Sequence, residues 1–189
     1  MARLFRSIAA LFMAVAWASA GAAAFTVTSQ SFAEGAEIPV RYGAAICGGG
    51  GVSPQVGWTG VPAGARSVVV LLIDADGAGG LTASHWIVYN LLPSRGELKE
   101  GQAQGPAPGL TLGRNVSGVM AYRGMCPPVG DAAHHYYISV IATDLPPGLL
   151  PPGLNEHELM RALKGHALVA QSYFGRYERR HLPHGAPAM

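Results

Sequence analysis

Charged side chains are scarce in this chain, and no basic stripe is present. Lys, Arg, Asp and Glu make up 13% of the 189 residues, and the net charge is only +2 with the histidines neutral. This balance gives no support for nucleic-acid binding. Hydrophobic residues make up 49%, and the chain has 26 glycines and 14 prolines. The composition therefore favours a single, loop-rich globular domain with a sizeable core.

The motifs of several common sites are also missing. There is no Gly-x-Ser-x-Gly nucleophile elbow, and the adjacent Ser84 and His85 would point apart in a strand. Four glycines at 48–51 are not followed by Gly-Lys-Ser/Thr or by a helix start, so they predict a flexible loop and not a phosphate loop. No tight pair of histidines fixes a metal, although two histidines with two aspartates could do so in principle. We predict neither a metal nor a cofactor.

The N-terminus has the pattern of a secretory signal peptide. Two arginines precede an apolar run over residues 8–17, and small residues follow. Cleavage after Ala20 or after Ala24 fits the rule, so we predict that residues 1–24 are removed. The alternative is an uncleaved anchor, but the run is shorter than the about 20 residues that a span needs. We expect export to the periplasm or the medium, without stable membrane insertion.

The two cysteines, Cys47 and Cys126, are an even number in a chain that is predicted to be exported. Exported domains commonly pair their cysteines, and this pair would close a long loop and restrict the unfolded chain. We therefore predict a disulfide. The alternative is two buried free thiols, because the sequence does not give the separation of the two Cα atoms.

Hydrophobic patterning predicts a mostly antiparallel β domain over residues 25–180, with short C-terminal helices. The predicted strands cover residues 25–28, 38–42, 55–58, 67–73, 85–92, 136–143 and 175–179. Residues 99–118 are predicted as a long ordered loop. Asn155 and Glu158 mark a helix start, and residues 166–172 are predicted as a second short helix. We expect residues 181–189 to be a disordered tail.

Acidic and imidazole side chains lie at the ends of the predicted strands. Asp74 and Asp76 follow an apolar run, and residues two apart in an extended chain point to the same side. His85 begins the next strand. A carboxylate that accepts from one ring nitrogen fixes the tautomer and directs the other nitrogen at a ligand. For Asp76, the start of a turn is an equally good explanation.

The pair His134 and His135 precedes another strand. Because successive strand residues face opposite sides, His135 is predicted to point outward and Tyr136 to share the side of His134. His85, His134 and Tyr136 are thus expected to meet the aspartates in one pocket.

The order and spacing of these segments resemble the phosphatidylethanolamine-binding protein family, in its bacterial Raf-kinase-inhibitor-like branch. Asp74-Ala-Asp76 resembles the family's Asp-Pro-Asp-Ala-Pro motif. His85-Trp-Ile-Val-Tyr-Asn90 is similar to its His-Trp-Val-Val-x-Asn strand, and Pro127-Pro128 with His134-His135-Tyr136 to its Gly-Pro-Pro…His-Arg-Tyr block. Other matching segments extend from Phe25 to Tyr177. The resemblance implies a large antiparallel sheet, a smaller sheet, short C-terminal helices and a small pocket for phosphate or phosphoryl head groups.

By position, the resemblance implies a ligand-binding set of eight residues. These are Asp74, Asp76, His85, Gly124, Cys126, Pro128, His134 and Tyr136. The chain departs from the family where Ala75 replaces a proline, where Ala83-Ser84 replace a usual aromatic residue, and where His135 replaces an arginine. The pocket edge should be less rigid without the proline, and a fixed cation is lost.

We predict an exported, non-enzymatic protein that binds a small anion in this pocket. An anion beside two carboxylates is repelled unless a histidine or an aspartate is protonated, so binding should strengthen toward mild acid. One alternative is an inhibitor or regulator whose pocket rim binds a partner protein, which requires an exposed apolar patch. The other is a hydrolase that uses Asp76 and His85 as general base.

Overall fold

The computed structural model describes residues 23–179. The predicted tail and nearly all of the predicted signal peptide lie outside these residues. The elements in chain order are β1 (Thr26–Thr28), β2 (Val56–Thr59), β3 (Ser67–Asp74), α1 (Gly77–Gly80), β4 (Ala83–Leu91), β5 (Glu97–Leu98), β6 (Thr111–Leu112), β7 (His134–Thr143), α2 (Glu156–Leu163) and β8 (Ala167–Tyr177). Three short 3-10 turns cover Val40–Tyr42, Ala45–Cys47 and Pro93–Arg95. Between residues 23 and 179, no helix is long and apolar enough to cross a membrane.

The strands form two antiparallel sheets, as predicted. The larger sheet has the order β6-β4-β3-β7-β8, and the smaller has the order β1-β2-β5. In the larger sheet β3 is central and pairs with β4 on one side and with β7 on the other. The fold is therefore mostly β, with the ends of β3, β4 and β7 side by side.

The central strand β3 is buried on both faces, which explains its uninterrupted run of apolar residues. Val68, Val70 and Leu72 belong to the core between the two sheets, together with Trp58 of β2. The alternate residues of β3 pack with a second core that includes Leu159 of α2. Since neighbouring residues in a strand face opposite sides, each face of β3 serves its own core.

The helix α2 begins where the sequence predicts. The Asn155 side chain accepts from the Glu158 backbone N–H at 2.9 Å, and the Glu158 carboxylate accepts from the Asn155 N–H at 2.8 Å. This capping box satisfies two backbone donors that would otherwise lack partners. Two leucines of α2, Leu159 and Leu163, are buried against the large sheet.

Two predicted elements are wrong. Residues 166–172 are not a second helix: residue 166 lies in a turn, and 167–172 belong to β8, which pairs with β7 along its whole length. The edge of β7 provides a hydrogen-bond ladder, and such tertiary pairing overrides weak local preference. Residues 38–42 are not a strand, because Val40–Tyr42 forms a 3-10 turn after Pro39, which has no N–H to donate.

The predicted disulfide is present. Cys47 and Cys126 are bonded, with their Cα atoms 5.8 Å apart. Nearby, the glycines at 48–51 do not behave as an open loop. A Cβ at Gly49 would overlap the main chain of Gly43, and one at Gly50 would overlap Arg41. Close contact between main chains thus explains two of these glycines.

Candidate functional site

Strand pairing in the large sheet brings several of the predicted site residues together where β3 ends and where β4 and β7 begin. Asp74, the last residue of β3, lies opposite Ala83 of β4 and opposite Tyr136 of β7. His134 is the first residue of β7, and His85 is the third residue of β4. Antiparallel neighbours place the end of β3 beside the starts of the other two strands. Residues that are 60 positions apart in sequence can therefore touch.

The carboxylate of Asp74 is the centre of this cluster. It is only 4% exposed, and its Oδ1 and Oδ2 lie 3.1 and 2.9 Å from Nδ1 of His134. Nε2 of His85 lies 3.9 Å from Oδ2, which is beyond hydrogen-bond distance. Asp74 therefore bonds one histidine directly and faces the other across a short gap.

His85 is held from behind by main-chain carbonyls. Its Nδ1 lies 3.0 Å from the oxygen of Arg123 and 3.2 Å from that of Gly124. Because a carbonyl oxygen only accepts, Nδ1 carries a proton. Burial lowers the pKa of His85 below its ordinary value, despite the opposing hydrogen bond to Arg123 and the charge of Asp74. The neutral ring consequently presents an unprotonated Nε2 toward Asp74.

His134 has the opposite tendency. Burial works against its protonation, but hydrogen bonding to Asp74 and the charge of that carboxylate outweigh burial and raise its pKa. On the other side of the ring, Nε2 lies 3.5 Å from Oδ2 of Asp131. His134 is thus the residue of this cluster that favours a positive charge.

Tyr136 forms the floor of the cluster. Its side chain is fully buried, and its ring contacts His85 edge-on at 5.4 Å and His134 at 6.4 Å between centroids. Among residues 23–179, no group has full hydrogen-bond geometry to the hydroxyl, and the Asp74 carboxylate is the group near enough to act on it. Burial, followed by the charge of Asp74, raises the pKa of Tyr136, so the hydroxyl keeps its proton. Buried hydroxyls without partners are rare, so this one calls for an explanation.

Asp76 lies outside this centre. Strand β3 ends at Asp74, so the alternation that predicted a common side does not reach Asp76. Its carboxylate accepts from the backbone N–H of His135 at 2.7 Å and lies 2.9 Å from Nδ1 of that ring. These bonds, with the backbone bond as the larger cause, lower the pKa of Asp76. Asp76 pairs with His135 and not with His85, so the geometry does not favour the hydrolase alternative.

The segment at residues 123–125 forms the rear wall. Gly124 is buried there, and a Cβ on it would overlap the main chain of Ala44 and Gly43. The N–H of Ala44 donates to the oxygen of Met125 at 2.9 Å, and that of Arg123 donates to the oxygen of His85 at 2.9 Å. The segment therefore lies between the start of β4 and residues 43–44.

The other two predicted ligand residues have less direct positions. Cys126 is half-buried in the disulfide, which fixes the end of the rear wall, and Pro128 is exposed. The sequence interpretation missed Asp131 and the carbonyl of Arg123. The spacing of Asp131 and His134, with the turn at Gly130 before them, is a signal that could have drawn attention to Asp131.

The donors at this edge do not form a metal site. Over residues 23–179, no group of three or more His, Cys, Asp and Glu side chains is arranged to hold a metal ion. All three carboxylates near His134 are already within ion-pair distance of a histidine. The site is suited to hydrogen bonding with a small polar group.

Comparison with known proteins agrees with this geometry. The phosphatidylethanolamine-binding protein family model matches residues 28–178. A UPF0098 protein of Aquifex aeolicus is 36% identical over 162 residues, which are 85% of this chain and 92% of that protein. The crystal structure of E. coli YbcL, described as a member of the mammalian PEBP family, has a TM-score of 0.76 and 28% identity, and covers 82% of this chain and 99% of that one. The chain belongs to the phosphatidylethanolamine-binding protein family, so the resemblance is confirmed.

A further relative bears on cellular location. The Mycobacterium tuberculosis protein named as a lipoprotein, LppC, is 39% identical over 127 residues, which are 65% of this chain and 59% of that protein.

Proposed function

We propose that this protein binds a small phosphoryl-type anion between His85, His134 and Tyr136, without chemical turnover. The single observation that carries the proposal is the buried, protonated hydroxyl of Tyr136, to which no described residue has full hydrogen-bond geometry. An anionic oxygen is the acceptor that would satisfy it. The two histidine rings on either side of Tyr136 supply the walls.

The charges of the cluster support an anion only when His134 is protonated. Asp74 and a positively charged His134 cancel each other, and the raised pKa of His134 favours this state. Above that pKa the ring becomes neutral and the charge of Asp74 is left to repel the ligand. Binding should therefore be stronger in mild acid than in mild base.

The small exposed fractions limit the ligand to a small group. Asp74, His85 and His134 are each less than a tenth exposed. A phosphate, or a head group that inserts only its terminal phosphoryl group, fits this restriction, whereas a bulky ligand does not.

Calorimetry with phosphate and with phosphoethanolamine tests the proposal at about pH 5.5, below the ordinary histidine pKa, and at a second pH above the raised pKa of His134. His134→Ala removes the charged donor, and His85→Ala removes a wall. Because a hydrogen bond to a charged group contributes about 1.5–3 kcal/mol, His134→Ala should weaken binding about tenfold or more. We expect a clear loss for His85→Ala as well.

The matched control is His135→Ala. His135 is adjacent to His134 but is half exposed and pairs with Asp76 at the surface, so its removal should change binding little. Equal losses for His135→Ala and His134→Ala would contradict the assigned roles. If neither anion binds the wild type at either pH, the proposal is rejected.

We also propose that the protein is exported. The N-terminal pattern and the lipoprotein name of the LppC relative support this location. Mass spectrometry of the periplasmic or secreted protein should find Gly21 or Phe25 as its first residue. Recovery of intact Met1 from a membrane fraction would contradict export of a cleaved protein.

A further inference from the structure

The tautomer of His85 restricts which anions the site can accept. Nδ1 lies between two carbonyl oxygens, at 3.0 and 3.2 Å, and must carry the proton. The ring is rigidly placed, because the segment with these carbonyls is held by main-chain contacts at Gly124. In the neutral ring Nε2 is therefore an acceptor and not a donor.

A second acceptor faces this nitrogen. Oδ2 of Asp74 lies 3.9 Å from Nε2 of His85. While neither of these two atoms carries a proton, they cannot form a hydrogen bond with each other. Tyr136 is beneath the pair, and His134 bonds the far side of Asp74. The other charges that act on this pair of rings are Arg123, which opposes protonation of His85, and Asp131 and Asp76, which favour protonation of His134.

An anion that enters the site therefore meets two hydrogen-bond acceptors of the protein, His85 Nε2 and Asp74 Oδ2, as well as the protein's donors. An oxyanion without a proton can only accept, so one of its oxygens would face the lone pair of His85 and the charge of Asp74. An oxyanion with one O–H has a hydrogen to donate to this pair. Its remaining oxygens can accept from the Tyr136 hydroxyl and from Nε2 of His134, which contacts Asp131 only loosely at 3.5 Å.

We propose that the site selects oxyanions that carry a hydroxyl, such as the singly charged form of a phosphate monoester, and rejects fully ionised oxyanions of the same shape. The ligand hydroxyl donates to the acceptor pair formed by Asp74 Oδ2 and His85 Nε2. This inference rests on the proposed anion site and adds the protonation state of the ligand.

Methyl phosphate and methyl sulfate are the matched probes. They have nearly the same shape, but the second pKa of a phosphate monoester is about 6, so at about pH 5.5 most methyl phosphate keeps one O–H, whereas methyl sulfate has none. Calorimetry on the full mature protein should find methyl phosphate bound about tenfold tighter or more, since a hydrogen bond to a charged group is at stake.

A second measurement at about pH 7.5 distinguishes the effect of the ligand's proton from the effect of the His134 proton. Methyl phosphate then loses its O–H, whereas any loss of positive charge at His134 acts on both ligands alike. The ratio of the two affinities should therefore shrink, because only methyl phosphate loses its donor.

Asp74→Asn tests the acceptor directly. The amide keeps the shape of the side chain but adds an N–H donor, so methyl sulfate should gain affinity relative to methyl phosphate. Asp144→Asn is the control, since Asp144 forms a similar pair with His166 at 2.8 Å on an exposed part of the surface. This control should keep the wild-type preference.

A measurement on the wild type is independent of any variant. The ¹⁵N chemical shifts of the imidazole should show a protonated Nδ1 and a bare Nε2 for His85 at neutral pH. The opposite tautomer would overturn the inference. Equal binding of methyl sulfate and methyl phosphate would also overturn it while leaving the anion site intact. If neither ligand binds, the proposed function fails together with this inference.

Discussion

Replacing Tyr136 by phenylalanine should leave the protein at least as stable as the wild type while weakening its anion binding. The substitution removes only the hydroxyl, which is buried and has no partner among the described residues. Leaving such a group buried and unsatisfied costs about 1–3 kcal/mol. We expect the gain on its removal to be at the low end, about 1 kcal/mol, because the Asp74 carboxylate lies near the hydroxyl.

The control has the same side chain and the same burial. The Tyr89 hydroxyl donates to the oxygen of Pro151 at 2.6 Å and accepts from the N–H of Leu154 at 3.2 Å. Tyr89→Phe leaves the Pro151 carbonyl and the Leu154 N–H without the Tyr89 hydroxyl as a hydrogen-bond partner. The free energy of unfolding should therefore fall by about 1–3 kcal/mol. Urea titration of both variants measures the two changes, and a gain of 1 kcal/mol would raise the melting temperature by about 2–4 °C.

The binding measurement completes this test. Tyr136→Phe should weaken phosphate binding about tenfold, because a donor to a charged oxygen is lost. Tyr89→Phe should not change phosphate binding, because Tyr89 belongs to the core on the α2 side of the sheet. If Tyr136→Phe destabilises the fold as much as Tyr89→Phe does, the hydroxyl is already satisfied and the reasoning is refuted.

Three further predictions concern stability. Reduction of the Cys47–Cys126 bond, which spans 79 positions, should lower the free energy of unfolding by about 2–5 kcal/mol in denaturant titrations, and an unchanged midpoint would contradict this. Because the pKa of His134 is raised, its pairing stabilises the fold below the ordinary value of about 6.5 and is lost as the pH rises through the raised value. Unfolding measured across this range should show that decline in the wild type but not in His134→Gln. Gly124→Ala should destabilise by about 1–3 kcal/mol through overlap with the main chain, whereas Gly105→Ala, which has open space, should be neutral in the same assay.

The strands and the helix start were accessible from the sequence because each depends on local pattern. The apolar run of β3 and the capping box at Asn155 express burial and hydrogen bonding within a few residues. The second helix was predicted wrongly because β8 forms by pairing with β7. No pattern within residues 166–172 indicates that a strand is available for this pairing.

The sequence allowed us to predict which residues form the site, but not the role of each residue. Strand ends and the family resemblance indicated Asp74, His85 and His134, and the structure brings these three together. The division between a neutral His85 and a charged His134 depends on the Arg123 and Gly124 carbonyls and on the Asp74 carboxylate. These contacts join segments about 40 and 60 positions apart, so no short motif contains them.

The rear wall of the site has a consequence for engineering. A Cβ at Gly49 or Gly124 would overlap the main chain at residues 43–44, and a Cβ at Gly43 would overlap the Tyr177 side chain. At these three glycines, no side chain can be added without a shift of a neighbouring group. Substitution of Gly124 is therefore expected to disturb one of the carbonyls that set the His85 tautomer.

The opposite wall is different. At the start of β4, Ala83 and Ser84 contribute small side chains that are buried. On the outer rim, Asp131 is half exposed and free of the sheet. Attempts to give this scaffold a new ligand should therefore start at Asp131 and leave residues 123–125 unchanged.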